Sequence, residues 1–357
     1  MARAARGVTE GMKGAGYYDA HSEYQRRIVT DSKATILKCV DALDLASMTG
    51  ACTIADYGCG TGATSVQSVG MALRRLRERD LELPLHAIHA DLVTNDFNQL
   101  FRNVAEGYAS AVDGSIYVSA VGGSFFTQII PSRAVHLGMC SNAAHWFRSQ
   151  PKVEMPEGMF FSDARGAARK RLAQEAADDW LAFLEARAAE IVPGGRMLVQ
   201  GIATVQGNDG TENVSAAELL QLMWEVASAM AEDRLLDKSR LVSYIFPVYC
   251  RSKDEAIAPM LPDAPHEREF EVVSTEIAEI ANPYWELFQR DGDAAAYARV
   301  YIQFVRAFAE STMMKHLFGD APALCDEFFH RCETGIARDP LRGKYKSWIL
   351  RLVLARR

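Results

Sequence analysis

The chain has 357 residues, with 39 Lys and Arg against 46 Asp and Glu and a formal net charge of −7. At about 150 residues per domain this is two domains or one elaborated α/β domain, and 49% hydrophobic residues can close a core without disulfides or a structural metal. The acidic balance sets nucleic acid aside as a partner, because the clusters Arg74-Arg75 with Arg77 and Arg79, and Arg169-Lys170-Arg171, fall on amphipathic helical stretches and read as solvated faces.

The N-terminal MARAARGVTEGMKG lacks the apolar run of a secretory signal. The charge-free run 114–132 is broken by Gly122-Gly123 and Pro131, so no bilayer span is expected. Seven cysteines without a CxxC pair read as reduced thiols, and a soluble cytoplasmic protein is the expectation. Strand candidates Ala51–Tyr57, Leu85–Ala90, Ser115–Val121, Val135–Cys140 and Arg196–Ile202 alternate with helical patterns such as Ala63–Arg79 and Ala164–Ile191. Short apolar strands alternating with helices predict an α/β fold with a parallel, doubly wound sheet. Pro193-Gly194-Gly195 predicts a stop and turn before the last of these strands. Helical spacing returns over Ala216–Leu236 and Tyr297–Leu317, around a loop-rich stretch holding Pro247, Pro259, Pro262 and Pro265. Phe270–Ile277 and Ser347–Leu354 are further strand candidates. The expected organisation is a Rossmann-like core over residues 1–204, completed by strands near 268–280 and 345–357, with a mainly helical cap over 205–344. Ligands of such sheets bind at the carboxyl ends of the strands, where a cap closes a pocket.

The sharpest local signal is the run from Thr53 to Gly62, a strand leading through Asp56, Gly58, Cys59 and Gly60 into a helix. Glycines there let a ligand approach the backbone, and the helix start presents free N–H groups. Gly58-x-Gly60-x-x-Ala63 satisfies the dinucleotide fingerprint. The alternative is the loop that binds S-adenosylmethionine, with an acidic residue ending the strand. Asp56 occupies that position, where a carboxylate repels a pyrophosphate and attracts the donor's ammonium. Asp91, closing the next strand candidate, is placed for the ribose hydroxyls of that donor.

Several spaced motifs together resemble the SABATH methyltransferases, a family of Rossmann-like class I enzymes that methylate small acids or xanthine nitrogens. Met12-Lys13-Gly14 with Tyr18-x-x-His21-Ser22-x-x-Gln25 is similar to the family's opening motif. Ala55-Asp56-Tyr57-Gly58-Cys59, Asp91 to Asn98, Gly123-Ser124-Phe125-Phe126 with Pro131-Ser132, His145-Trp146 with Ser149-Gln150-Pro151, and Val192 to Met197 resemble successive motifs. Weaker echoes at Pro247-x-Tyr249 and Phe329-His330 extend the likeness over nearly the whole chain. The resemblance implies donor contacts from Tyr18, Ser22, Asp56, Gly58, Cys59, Asp91, Leu92, Ser124 and Phe125. It also implies that Gln25 and Trp146 grip the acceptor's carboxylate, with His145 beside them as a third donor or pocket wall. Lys13, Asn142, Trp224, Tyr249, Val305 and Phe308 are the candidates for the rest of the acceptor pocket.

The resemblance thus implies S-adenosylmethionine as donor, a small-molecule carboxylic acid as acceptor, and a homodimer. Asn142 stands where many family members carry a tyrosine, which widens the pocket and sets the xanthine branch aside. Val242-Ser243-Tyr244-Ile245 replaces a stretch that supplies metal ligands in some plant members, so no magnesium site is expected. Two alternatives stay open on the same scaffold: an N- or O-methyltransferase with His145 as base, and a donor-binding protein without turnover.

Overall fold

The structure is a computed structural model that describes residues 10–14, 16–108, 116–207, 211–344 and 347–357. The signal-peptide reading over residues 1–9, the strand start at Ser115 and the first two residues of the 345–357 strand lie outside the described residues. Three N-terminal helices, α1 (Tyr17–Ala20), α2 (Glu23–Asp31) and α3 (Lys33–Asp41), lead into β1 (Cys52–Tyr57) and α4 (Ala63–Arg79). Then come β2 (Leu85–Asp91), α5 (Phe97–Tyr108), β3 (Ile116–Gly122), β4 (Val135–Ser141), α6 (Gly166–Glu190) and β5 (Ile191–Ile202). A short hairpin of β6 (Thr204–Gln206) and β7 (Glu212–Val214) precedes α7 (Ala217–Glu232), α8 (Lys238–Ser243) and α9 (Lys253–Ile257). The chain ends with β8 (Phe270–Ile280), α10 (Pro283–Asp291), α11 (Ala294–His316), α12 (Pro322–Arg338) and β9 (Ser347–Arg356).

β1 is buried at all six positions, as befits a central strand covered on both faces. The seven-stranded sheet runs β3-β2-β1-β4-β5-β9-β8. β1 to β5 pair in parallel, whereas β9 is antiparallel to both β5 and β8. The five strands read as parallel are so, and of the two later strands, whose direction the sequence leaves open, β9 is reversed for a reason of connectivity. A parallel pair needs a crossover over the sheet face. Instead the chain leaves β8 at Ile280, builds α10 to α12, and re-enters β9 at Ser347, the residue that pairs with Ile280. The helices therefore stack over one end of the sheet. Ile202, the last residue of β5, pairs with Ile349 near the start of β9, so that end is the carboxyl end of the parallel strands.

Pro193-Gly194-Gly195 does not end an element. β5 has already begun at Ile191, opposite Val135, and the next pair is Arg196 opposite Leu137. The extra residues form a bulge, with Gly194 at φ 80°. The basic clusters are solvated faces in the main, with Arg74, Arg79, Lys170 and Arg171 exposed and Arg77 the exception. Arg75 does pair at the surface with Asp41 and Glu78. Arg77 is buried and donates to the Leu83 carbonyl (3.0 Å), while Arg79 reaches the carbonyls of Val40 and Leu43. Arg169 pairs with Glu212 at 2.6 Å.

Three apolar clusters follow from this layering. One fills the helical cap, and the other two cover the sheet's faces. The cap cluster also takes Tyr24 and Ile28 of α2 and Phe147, Met155, Phe160 and Phe161 from the segment after β4. Those residues fall within the stretch 1–204, so the cap draws on chain that precedes the predicted boundary. Among the described residues no helix is long and apolar enough to cross a membrane.

Candidate active site

The strand order reverses between β1 and β4, and ligands of open α/β sheets bind outside the strand ends at such a point. Two loops meet there. The loop after β1 places Gly58, Gly60 and Gly62 at φ 83°, 55° and 104°, the left-handed region that glycine enters without strain. The loop after β4 carries Asn142, at φ 55°, through Trp146. A Cβ at Gly58 would collide with the Ala143 Cβ and stand 3.5 Å from the Phe125 ring, so glycine is what allows the loops to touch.

The first loop borders a cavity of about 250 Å³, lined among others by Tyr18, Gly58, Cys59, Asp91, Leu92, Ser124 and Phe125. Asp91 accepts hydrogen bonds from the amides of Gly60 and Leu92, each at 2.7 Å. Burial holds its carboxyl above the usual range, against those two amides. Asn95, which the sequence did not single out, also lines the cavity and donates to the Gly60 carbonyl at 2.7 Å. Of the nine donor-side residues expected, Ser22 and Asp56 do not line it. Ser22 is fully buried and accepts from Arg26 at 3.1 Å. Asp56 lies behind the loop, pushed up to about 7 by burial despite the Ser65 hydroxyl bonded to it, and its Oδ1 has no partner. Lys13 lies on this donor side rather than in the acceptor pocket. Its ammonium pairs with Glu310 at 2.9 Å and sits 4.2 Å from the Tyr17 ring, so its charge is already matched.

A second cavity of about 120 Å³ lies under the cap and shares Met12, Tyr18, Asn142 and Trp146 with the first. Gln25, His145 and Phe308 line it, with Ile28, Leu219, Leu220, Met223, Phe246, Val248 and Phe304 among its apolar wall. Trp224, Tyr249 and Val305 do not, and periodicity explains each case. Phe246, Val248 and Cys250 line the chamber as alternate residues of an extended stretch, which pairs with the second loop at Trp146 and Val248. Tyr249 therefore points the other way, and its hydroxyl donates to Glu255 at 2.7 Å. On α7 the lining stripe is 216, 219, 220 and 223, and Trp224 falls past its edge to pack on the cap cluster. On α11 Phe304 and Phe308 are i, i+4 neighbours facing the chamber, and Val305 turns into the cap core.

His145 is partly buried, and its Nδ1, which is buried, has no partner. Desolvation, then the charge of Arg251, pushes its pKa down to about 3, so the ring is neutral. Gly201 makes room for it, since a Cβ there would lie 2.8 Å from that Nδ1. The Gln25 Oε1 is likewise buried without a partner. An apolar chamber with unpaired polar atoms in its wall is built for a ligand with a polar end and an apolar body.

The Ser124-Phe125 stretch is pinned from below by a buried ion pair. Arg187 and Glu190, both fully buried, meet at 2.8 Å. Arg187 donates to the Phe125 carbonyl (2.7 Å), and Glu190 accepts from Tyr57 and from the amides of Ile129 and Ile130. Glu190→Ala should cost about 3–5 kcal/mol by leaving Arg187 buried without its counter-charge. Urea unfolding will show this as a lower midpoint at unchanged slope.

A reversed α/β sheet with a glycine loop, a donor-sized cleft and a capped apolar chamber is the class I methyltransferase fold. The family model described as "SAM dependent carboxyl methyltransferase" matches residues 7–357, and the chain belongs to that family, the SABATH methyltransferases. It is similar to salicylate carboxymethyltransferase of Clarkia breweri, 26% identical over 353 residues and covering 94% of each chain. Probable jasmonic acid carboxyl methyltransferase 2 of Theobroma cacao is 23% identical over 370 residues, covering 94% of this chain and 95% of the relative. A solved structure of loganic acid methyltransferase with SAH shares the fold, with a TM-score of 0.77 at 22% identity, covering 97% of this chain and 98% of the other. The protein is thus an S-adenosylmethionine-dependent methyltransferase that forms methyl esters. The donor-side lining fits that donor, with the half-buried Asp91 carboxylate, glycine backbone that a ligand can approach and the Phe125 ring.

Proposed function

We propose that the acceptor is a small acid with an apolar body, its carboxylate set at Gln25, His145 and Trp146. The single observation that carries this reading is the join of the two cavities at Met12, Tyr18, Asn142 and Trp146, with the apolar chamber beyond it. S-adenosylmethionine supplies an electrophilic methyl on a sulfonium sulfur. A carboxylate oxygen forms the new O–C bond as the C–S bond breaks, and the electron pair stays on sulfur. No proton moves, so the residues need only orient the acid and exclude water. The Gln25 amide and the Trp146 indole are neutral N–H donors that can fix a carboxylate without quenching the attacking oxygen. Incubation with labelled donor and benzoate, salicylate, cinnamate or octanoate should give base-labile methyl esters. Label confined to amines or phenols overturns the reading, and binding of S-adenosylhomocysteine without any turnover supports a silent donor-binding protein.

The neutral His145 supports ester formation over methylation of an uncharged acceptor. A ring whose pKa is pushed to about 3 is a weak base. At saturating donor, kcat is expected to stay level from about pH 5.5 to 8 and to fall lower down, as the acid itself protonates near about 4. A limb centred near 6.5, the reference value for histidine, would restore His145 as the base. The seven free, buried cysteines support a reducing, cytoplasmic setting. A homodimer, which rests on the family resemblance, is tested by sedimentation.

A further inference from the structure

Behind His145 lies a buried cation that no carboxylate pairs. Arg251 is 8% exposed, and it spends its guanidinium on two carbonyls, Ala144 at 2.7 Å and Ala176 at 2.8 Å. The Trp180 ring lies 5.2 Å from it. Two carboxylates face it, and both are engaged elsewhere. Asp179 of α6 accepts from the Arg148 amide (2.8 Å) and meets the Arg148 guanidinium at 3.3 Å. Glu255 of α9 accepts from the Tyr249 hydroxyl and from the Ser252 amide. No ion pair to Arg251 is found among the described residues. A buried charge without a counter-ion is costly, and proteins retain one where something else supplies the opposite sign.

The position of Arg251 identifies that counter-charge. A small cavity behind the acceptor chamber is lined by both Arg251 and His145, and His145 also lines the chamber itself. One imidazole therefore separates the guanidinium from the space assigned to the acceptor. The carbonyl that Arg251 holds belongs to Ala144, the residue before His145, so the same side chain fixes the backbone that aims His145 and Trp146.

We propose that Arg251 is a positioning residue for the acceptor: it supplies a buried positive field, through the neutral His145, that selects an ionised carboxylate over an isosteric neutral group. This rests on the carboxylate site proposed above. It assigns the cation that recognises the acid to the floor of the chamber, while Lys13 at the mouth is held by Glu310.

The test uses the best-esterified acid of the four named above and its primary amide, with binding measured on enzyme saturated with S-adenosylhomocysteine. Arg251→Gln keeps hydrogen-bond donors and removes the charge, whereas Arg251→Lys keeps the charge and loses the guanidinium fork. Arg251→Gln should raise KM for the acid about ten- to hundredfold, while amide affinity and the affinity for S-adenosylhomocysteine change less than about threefold. Arg251→Lys should recover most of the acid's KM. In Arg251→Gln the bound carboxylate also loses a cationic neighbour, so the acid's own protonation, and with it the acid limb of the kcat profile, should move up in pH. Equal weakening of acid and amide in Arg251→Gln, or failure of Lys to do better than Gln, makes the residue a backbone tie alone and overturns the inference. Should the Gln variant not fold, the Lys variant decides, since acid KM near the wild-type value supports the inference and a collapse in acid affinity overturns it. A wild-type enzyme that esterifies none of the acids overturns the carboxylate reading itself, a different failure from discrimination lost in one variant.

Discussion

Gln25→Ala should lower kcat/KM for the acid about a hundredfold and leave the affinity for S-adenosylhomocysteine within about twofold. A hydrogen bond to an ionised group is worth about 1.5–3 kcal/mol, and loss of orientation at the reacting oxygen adds to it. Gln25 separates the two subsites because it lines only the acceptor chamber. Its helix also packs Tyr24 and Ile28 into the cap cluster, so the backbone at 25 should hold when the amide is removed. Trp146 lacks this property. It borders both cavities, and Trp146→Ala should weaken acid and donor product together. Steady-state kinetics with calorimetry of S-adenosylhomocysteine checks both variants. A Gln25→Ala enzyme that loses the donor product as severely as the acid would place Gln25 on the wrong side of the junction.

Gly58→Ala should reduce affinity for S-adenosylhomocysteine at least about a hundredfold and lower stability with it. The methyl enters at φ 83°, where a side chain costs about 1 kcal/mol or more. The larger part of the effect is steric. The colliding atom is the Ala143 Cβ, which is fixed to the backbone and cannot rotate aside, so one loop must move. Moving either loop displaces a wall of the donor cavity, since Gly58 and Ala143 both line it. Gly50 provides the control. It has φ 90° with nothing within 4 Å of its Cβ position, so Gly50→Ala should show only the modest conformational cost and normal affinity. Adding Ala143→Gly to Gly58→Ala should recover part of the binding. Absence of that rescue would mean that the glycine's conformation, not the contact between loops, governs the donor site.

The donor half of the site was legible because its residues sit in contiguous motifs at strand ends. Gly58, Cys59, Asp91 and Leu92 belong to loops whose glycines and acids declare themselves by spacing, although Asp56 falls behind the cavity and Asn95 carried no signal of its own. The acceptor half was legible only at Gln25, His145, Trp146, Asn142 and Phe308. Much of its wall comes from α2, α7, α11 and the extended stretch around Val248, and each contributes an alternate or fourth residue whose phase the sequence leaves open. Tyr249 and Val305 were one residue out of phase with the lining of the chamber. Ile28 carried a usable signal, as the i+3 partner of Gln25 on α2.

By itself the sequence determined the alternation of strands and helices, the glycine loop and the family, since these depend on neighbours close along the chain. Its charge of −7 gave no hint of how an anionic acid would be met. Tertiary structure decided that. It spent Lys13 on Glu310, almost three hundred residues away, and it set Arg251, more than a hundred residues beyond His145 in the chain, against the back of that ring. It also ran β9 against both its neighbours, because helices stacked on the sheet's end return the chain where it left. Charge pairing, burial and chain return are properties of distance in space, and spacing along the chain does not encode them.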